Sequence, residues 1–297
     1  EFNDWLEEVR QMMHREVDYR LEAKTTEKFR NMLASDPRFI VPRVLPEFST
    51  AHVICSTYEH GHSVSSQAVR DLPLERRSAL GKAALELFFR ELFVWGEIQT
   101  DPNFGNYRIR IAGEEGDDPG YDRIVLLDFG AVQAYSDDFL KPVIQMIRAS
   151  YENDLQAVID GGVQLRFMST DWPEEVLEKF GSVCMSVLEP LARDRSQWPD
   201  YAVNARGQYR WKQSDLPSRV AKHAARSAIS RYFRVPPKEF VFLNRKLIGV
   251  YTFVAVLNSE FNGEPLLRKY LYGEGDDAPD ASATSQSTKA TKATKLT

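Results

Sequence analysis

Three oxygen-bearing side chains occur in an order that suits phosphate chemistry. Asp101 and Asn106 lie five residues apart in "TDPNFGN", and Asp128 follows twenty-two residues later in "LLDFGA". A bound triphosphate brings Mg2+, a hard cation that prefers oxygen ligands and usually takes one or two carboxylates from the protein. A further carboxylate is needed near the nucleophile, to orient or deprotonate it. On this pattern Asn106 and Asp128 are the expected metal ligands. Asp101 is the expected catalytic group, facing an acceptor or an attacking water. The bland reading of the same stretch is a turn, since Pro102 and Gly105 are ordinary turn formers.

These residues can act together only if the chain brings them together. Residues 73–97 read as a helix with a wide apolar face formed by Leu80, Ala84, Leu87, Phe88, Leu92 and Trp95, so it should be buried on most sides. The loop that carries Asp101 and Asn106 follows directly. "YRIRI" and "DRIVLL" then read as two strands of a hairpin around the polar stretch "AGEEGDDPGY", and Asp128-Phe129-Gly130 closes the second strand. A hairpin sets its two ends side by side, which would place Asn106 beside Asp128. Helix, D-x-x-x-x-N, strand, loop, strand and D-F-G is the order found in kinases. Each piece alone is weak, and turns on a generic α/β domain are the alternative. The ordered set is more specific.

The rest of the chain supplies context. Residues 4–34 have helical composition, with Trp5, Val9 and Met12 at helical spacing. "FIVPRVL" and "AHVICSTY" read as short strands, and "EHGHS" as a loop. From Ser136 to about Leu191 the chain reads as mainly helical, broken at "DGG" and "TDWPE". Two further helices are expected in "RVAKHAARSAISRYF" and "FVFLNRKLIGVYTFVAVLNSEF". The tail after residue 272 has almost no apolar residues and is expected to be disordered.

Three motifs resemble the UbiB family of atypical kinases, also called AarF or ADCK-type. "EVDYRLEA" (Glu16 to Ala23) is similar to its E-x-D-Y-x-x-E-A motif, "QTDPNFGN" to its catalytic loop, and "LLDFGA" to its L-x-D-F-G-A segment. The resemblance covers roughly residues 10–270. It implies an α+β, protein-kinase-like fold: a partial N-lobe of one helix and two strands over 1–57, a helical C-lobe over 58–272, and the tail. It implies ATP and Mg2+ as cofactors, with Glu22 as the glutamate that pairs with the ATP-binding lysine. Glu16 and Asp18 would be the family's own E-x-D pair, which contacts a family-specific N-terminal segment and belongs with the cofactor-binding residues. On a helical wheel Asp18 and Glu22 share a face, whereas Glu16 and Asp18 stand about 200° apart. Tyr58 to Gly61 falls at the hinge between lobes, so the backbone around Tyr58 and Glu59 is expected to meet adenine. The resemblance also implies a link to isoprenoid quinone (ubiquinone) biosynthesis, with quinone-biosynthesis proteins or isoprenoid lipids as partners.

Some kinase parts are not in this stretch. The family's alanine-rich loop, its K-x-G-Q helix and the strand lysine would lie upstream of Glu1, so the chain is expected to be a fragment that binds nucleotide poorly alone. Thr100 replaces the arginine that ordinarily precedes the catalytic aspartate. Beyond D-F-G the chain is expected to enter a helix within a few residues, with no A-P-E, which argues against a peptide substrate. Alternatives are a small-molecule phosphotransferase of the aminoglycoside or choline kinase type, and a non-catalytic kinase-like scaffold.

Bulk properties fit this reading. The 297 residues are 43% hydrophobic and 27% charged, ordinary values for a globular chain. A net charge of -5 gives a nucleic-acid partner no electrostatic support. The two cysteines, Cys55 and Cys184, have no ligand-like spacing and read as small hydrophobes. His60 and His62 lack nearby carboxylate or thiol ligands at metal spacing. Phe88, Phe89, Phe93 and Trp95 read as core rather than a quinone or lipid site. No signal peptide or transmembrane segment is visible, so the expected location is cytoplasmic or peripheral to a membrane.

Overall fold

A computed structural model of the chain describes residues 19–114, 120–228, 232, 234 and 236–273. The expectations for Glu16, Asp18, the start of the first helix and the tail lie outside the described residues.

Helix α1 (Tyr19–Met32) turns its apolar side inward and buries Phe29. Strand β1 (Phe39–Ile40) follows and is shorter than "FIVPRVL" suggests, because Pro42 has no N–H to continue a ladder. The chain after it still doubles back as expected: Leu45 and Thr57 donate backbone hydrogen bonds across to Cys55 and Arg43 at 2.8 and 2.9 Å. Strand β2 (His62–Ser63) and a single helical turn α2 (Gln67–Arg70) lead to α3 (Leu74–Phe89). This long helix continues as one π-helical stretch, Arg90–Trp95, and ends where Gly96 adopts a left-handed φ of 63°.

Strand β3 (Glu97–Gln99), the hairpin β4 (Tyr107–Arg110) and β5 (Arg123–Leu126), and β6 (Val132–Ala134) then build the scaffold of the site. The four-stranded sheet has the order β1-β5-β4-β2, with β1 parallel to β5 and the other pairs antiparallel. A separate two-stranded ribbon pairs β3 with β6.

The remainder is helical: α4 (Asp137–Glu152), α5 (Leu155–Gln164), α6 (Glu174–Ser186), α7 (Leu216–Ala228), α8 (Lys238–Val256) and α9 (Glu264–Tyr272). The expected break at "TDWPE" is present, with Pro173 at the start of α6. The expected break at "DGG" is not, for α5 runs straight through Gly161 and Gly162. Packing explains this. A Cβ on Gly161 would lie 2.2 Å from the Met146 side chain on α4, and one on Gly162 would lie 2.7 Å from Met168. The glycines let α5 sit against its neighbours, at a propensity cost of about 1 kcal/mol each.

Apolar side chains gather in two clusters. One joins α1, α3, the β4–β5 hairpin and the C-terminal end of α8, through Phe29, Leu87, Ile109, Ile124, Phe129 and Phe253. The other fills the helical part and includes Phe88, Phe89, Tyr209, Trp211, Tyr251 and Phe261. A cavity of about 240 Å³ lies in the helical part, lined by Phe88, Phe89, Val143, Phe180, Cys184 and Phe240 among others. Burial pushes the Cys184 thiol up to about 12, consistent with an inert apolar side chain. The architecture is mixed α+β and kinase-like.

Candidate active site

The catalytic-loop stretch is fixed at both ends by backbone pairing. Gln99 faces Val132 in the β3–β6 ribbon. Thr100 then gives its backbone N–H and its hydroxyl to the Ala131 carbonyl, at 3.0 and 2.8 Å. The loop and the residue after Asp128-Phe129-Gly130 are therefore held against each other.

Within the loop, turn chemistry sets the side chains. Asn103 accepts from the Gly105 N–H at 2.9 Å and caps a single 3₁₀ turn, Phe104–Asn106. That turn brings Asn106 back toward Asp101, and the Asn106 amide donates to Asp101 Oδ2 at 2.8 Å. The Asn106 carbonyl then accepts from Leu127 N–H at 2.9 Å, which ties it to the residue before Asp128. Asp128 Oδ1 accepts from Gly130 N–H at 2.8 Å.

Helix α1 supplies the fourth group. The Glu22 carboxylate and Asp128 both crowd Gly130: a Cβ there would lie 3.3 Å from Asp128 Oδ1 and 3.5 Å from Glu22 Oε2. Burial, and then the charge of Asp128, raise the Glu22 carboxyl above its ordinary value. Phe29, two turns along α1, packs on Phe129 with ring centroids 4.9 Å apart, so the helix is seated on the D-F-G segment by apolar contact.

Asp101 and Asn106 are joined by a hydrogen bond, and Glu22 and Asp128 meet at Gly130. Tyr58 is 80% exposed with its ring edge-on to His60, and Glu59 grips Arg110 at 2.8 Å on the β4 side of the sheet. These two mark the outer strand edge rather than the acidic group itself.

The side chains present suit a hard divalent cation bound with phosphate. Asn106 uses its amide nitrogen on Asp101, which leaves its side-chain oxygen available. Asp128 engages one carboxylate oxygen with Gly130, leaving the other. Glu22 and Asp128 bring two carboxylates to the same glycine. No group of three His, Cys, Asp or Glu suited to an all-protein metal cage is present among the described residues.

The model of the ABC1 atypical kinase-like domain matches residues 1–161 of this chain. The chain belongs to the ABC1 atypical kinase-like family. Its motifs are those of the UbiB/AarF/ADCK-type proteins. Among relatives of known name, the mitochondrial atypical kinase coq-8 of Caenorhabditis elegans is 28% identical over 271 residues, which is 90% of this chain and 33% of that protein. The mitochondrial atypical kinase COQ8B of Rattus norvegicus is 28% identical, over 86% of this chain and 44% of its own length. Mitochondrial COQ8 of Saccharomyces cerevisiae is 22% identical, over 86% and 46%. The chain therefore spans between a third and half of these relatives. A solved structure of Rv3197 from Mycobacterium tuberculosis, in complex with erythromycin, superposes with a TM-score of 0.62 at 18% identity, covering 92% of this chain and 62% of that one; it supports the fold. Among the described residues of this ABC1-family chain, no helix is long and apolar enough to cross a membrane.

The structure adds residues that motif reading passes over. Glu91, in the π-helical stretch, is 1% exposed, and Lys246, on α8, is 4% exposed. They form an ion pair with Lys246 Nζ 3.0 Å from Glu91 Oε2. Burial raises the Glu91 carboxyl, with Lys246 opposing. Burial would lower the Lys246 ammonium, but Glu91 and then Tyr107 outweigh it and hold it raised, so the lysine stays charged. Next to it, Arg245 lies 3.6 Å from Asp101. A sequence signal existed. Glu91 falls four residues after Leu87 on the apolar face of α3, and Lys246 falls between Leu243 and Val250 on that of α8. Opposite charges on the buried faces of two long helices point to a pair.

Proposed function

We propose that this chain is part of an atypical kinase or ATPase that binds MgATP beside Glu22, Asp101, Asn106 and Asp128. Asp128 and the Asn106 side-chain oxygen would hold the metal, which neutralises charge on the transferred phosphate. Asp101 orients the nucleophile and can take its proton. The observation that carries the reading is the convergence of these four side chains from α1, the catalytic loop and the end of β5. Tyr58 and Glu59 are assigned to the adenine edge, and Glu16 and Asp18 are assigned to nucleotide binding by family resemblance alone. The 1–57 and 58–272 divisions are assigned as the two lobes flanking the nucleotide.

The acceptor is a small molecule or water rather than a peptide. Ala131 is bound directly to Thr100, β6 follows at Val132, and α4 begins at Asp137, which leaves no extended activation segment for a peptide to lie on. By family resemblance we assign the activity to isoprenoid quinone biosynthesis, with the protein in the cytoplasm or peripheral to a membrane.

In the full-length protein Asp128→Asn should remove Mg2+-dependent ATP turnover, by at least about a hundredfold, and leave the thermal transition in place. Intact turnover in a folded Asp128→Asn variant would overturn the assignment.

A further inference from the structure

Each of the three chemical side chains has a neighbour in the chain, or a backbone group, held by the Glu91–Lys246 pair. Glu91 Oε1 accepts from the Gln99 backbone N–H at 3.3 Å, two residues before Asp101. The Gln99 side-chain amide in turn donates to the Asp128 backbone carbonyl at 3.2 Å. Lys246 reaches Glu91 Oε1 at 3.4 Å as well as Oε2, and its charge interacts with the hydroxyl of Tyr107, the residue after Asn106, which lines the same small cavity. These groups close around a cavity of only about 10 Å³, lined by Glu91, Gln99, Asn106, Tyr107, Asp128 and Lys246. Little room is left for the residues to shift independently.

Two further contacts of α8 reach the same loop. Arg245 meets Asp101, and Gly249 seats Pro102 so closely that a Cβ would come within 2.3 Å of the proline ring. The pair is also set in an unusual helical geometry. Glu91 belongs to a π-helical stretch, a form that is rare and concentrated at functional sites.

Stability is a poor reason for such a pair. Burying two charges costs about as much as their attraction returns, and well-packed apolar replacements of both partners are often neutral or stabilising. A role that apolar side chains cannot fill is directional hydrogen bonding to several groups at once.

Resting on the nucleotide-site reading above, we infer that Glu91 and Lys246 are positioning residues: through Gln99 and Tyr107 they fix the relative placement of Asp101, Asn106 and Asp128. The pair touches no reacting group itself. It sets the geometry in which the carboxylates meet metal and nucleophile, where small displacements cost large factors in rate.

The test uses the full-length protein with both partners replaced, Glu91→Met with Lys246→Met. The expected result is a thermal transition unchanged or raised, with kcat for Mg2+-dependent ATP turnover down at least about tenfold. A readout independent of turnover accompanies it. In nucleotide-free protein, deuterium exchange at the Gln99 amide and across residues 126–131 should quicken, while exchange in α4 and α5 stays unchanged. A folded double variant with wild-type kcat and wild-type exchange overturns the inference.

If that variant does not fold, Gln99→Leu takes its place, since it keeps the ion pair and cuts only the link to Asp128. The same loss of kcat, smaller in size, and quicker exchange over 126–131 are expected, and wild-type values for both sink the idea. Asp128→Asn is run alongside. If it retains turnover, the site reading has failed; if it abolishes turnover while the double variant keeps it, only the positioning role has failed.

Discussion

Two acid–base pairs, each centred on a buried glutamate, lie in the helical part of this molecule, and they are built differently. Glu189 receives both guanidinium nitrogens of Arg219 at 2.7 Å, the Tyr209 hydroxyl at 2.7 Å on its carboxylate, and the Trp198 indole N–H at 2.7 Å on its carbonyl. Both carboxylate oxygens are fully engaged by a fork that matches them. Glu91 meets a lysine, a point charge, at 3.0 and 3.4 Å, and shares its bonding capacity with Gln99. The first pair closes on itself and fastens α7 to the turn that carries Glu189. The second stays open toward the loop that carries Asp101. The contrast separates an ion pair that holds a fold together from one that holds a site in register.

Three substitutions break or sharpen that contrast. Arg219→Met should have the largest effect on stability, about 3 kcal/mol by chemical denaturation, because it strands the Glu189 charge in an apolar cluster. Turnover per folded molecule should not change; a loss there would erase the distinction between the pairs.

Gly249→Ala comes next. The added methyl collides with Pro102, and overpacking of this kind costs about 1–3 kcal/mol. Steady-state kinetics should show a fall in kcat well beyond the loss of folded protein, since the displaced element is the catalytic loop. An activity change no larger than the loss of folded material would make the contact ordinary packing.

Asp36→Asn should be smallest, about 1 kcal/mol at neutral pH. Asp36 joins the turn after α1 to Arg38 at 2.7 Å and to Arg90 at 2.8 Å, and Arg38 reaches Glu86 on α3 at 2.6 Å. Burial pushes its carboxyl up, but the hydrogen bonds and charges of Arg38 and Arg90 prevail and hold it below the ordinary carboxylate value. A carboxyl lowered by folding adds stability that is present above its unfolded value, about 3.9, and fades as pH falls through the lowered folded value. Thermal melts of wild type and Asp36→Asn should therefore differ by a constant amount between about pH 5 and 7 and converge below about pH 4. A gap that persists at low pH would show that the ion pairs contribute little.

The chemistry was more legible in the sequence than the devices that support it. Asp101, Asn106 and Asp128 could be read as neighbours because a hairpin converts sequence order into adjacency. Glu22 was read through resemblance, and it meets Asp128 at Gly130. The first strands were overestimated because alternation was weighed more heavily than Pro42. The helix through Gly161 and Gly162 was missed because glycine was read by local propensity, whereas Met146 and Met168 occupy the space those residues leave open. The π-helical stretch leaves no periodic trace over six residues. Glu91 and Lys246 could be seen as misplaced charges, but only tertiary contact between α3 and α8 makes them a pair.

Phe88 and Phe89, read as core, are buried at 3% and 2%, yet they also wall the cavity of about 240 Å³. The recess is partly open to the surface, so these two rings serve at once as core and as the wall of an apolar recess between α4, α6 and α8.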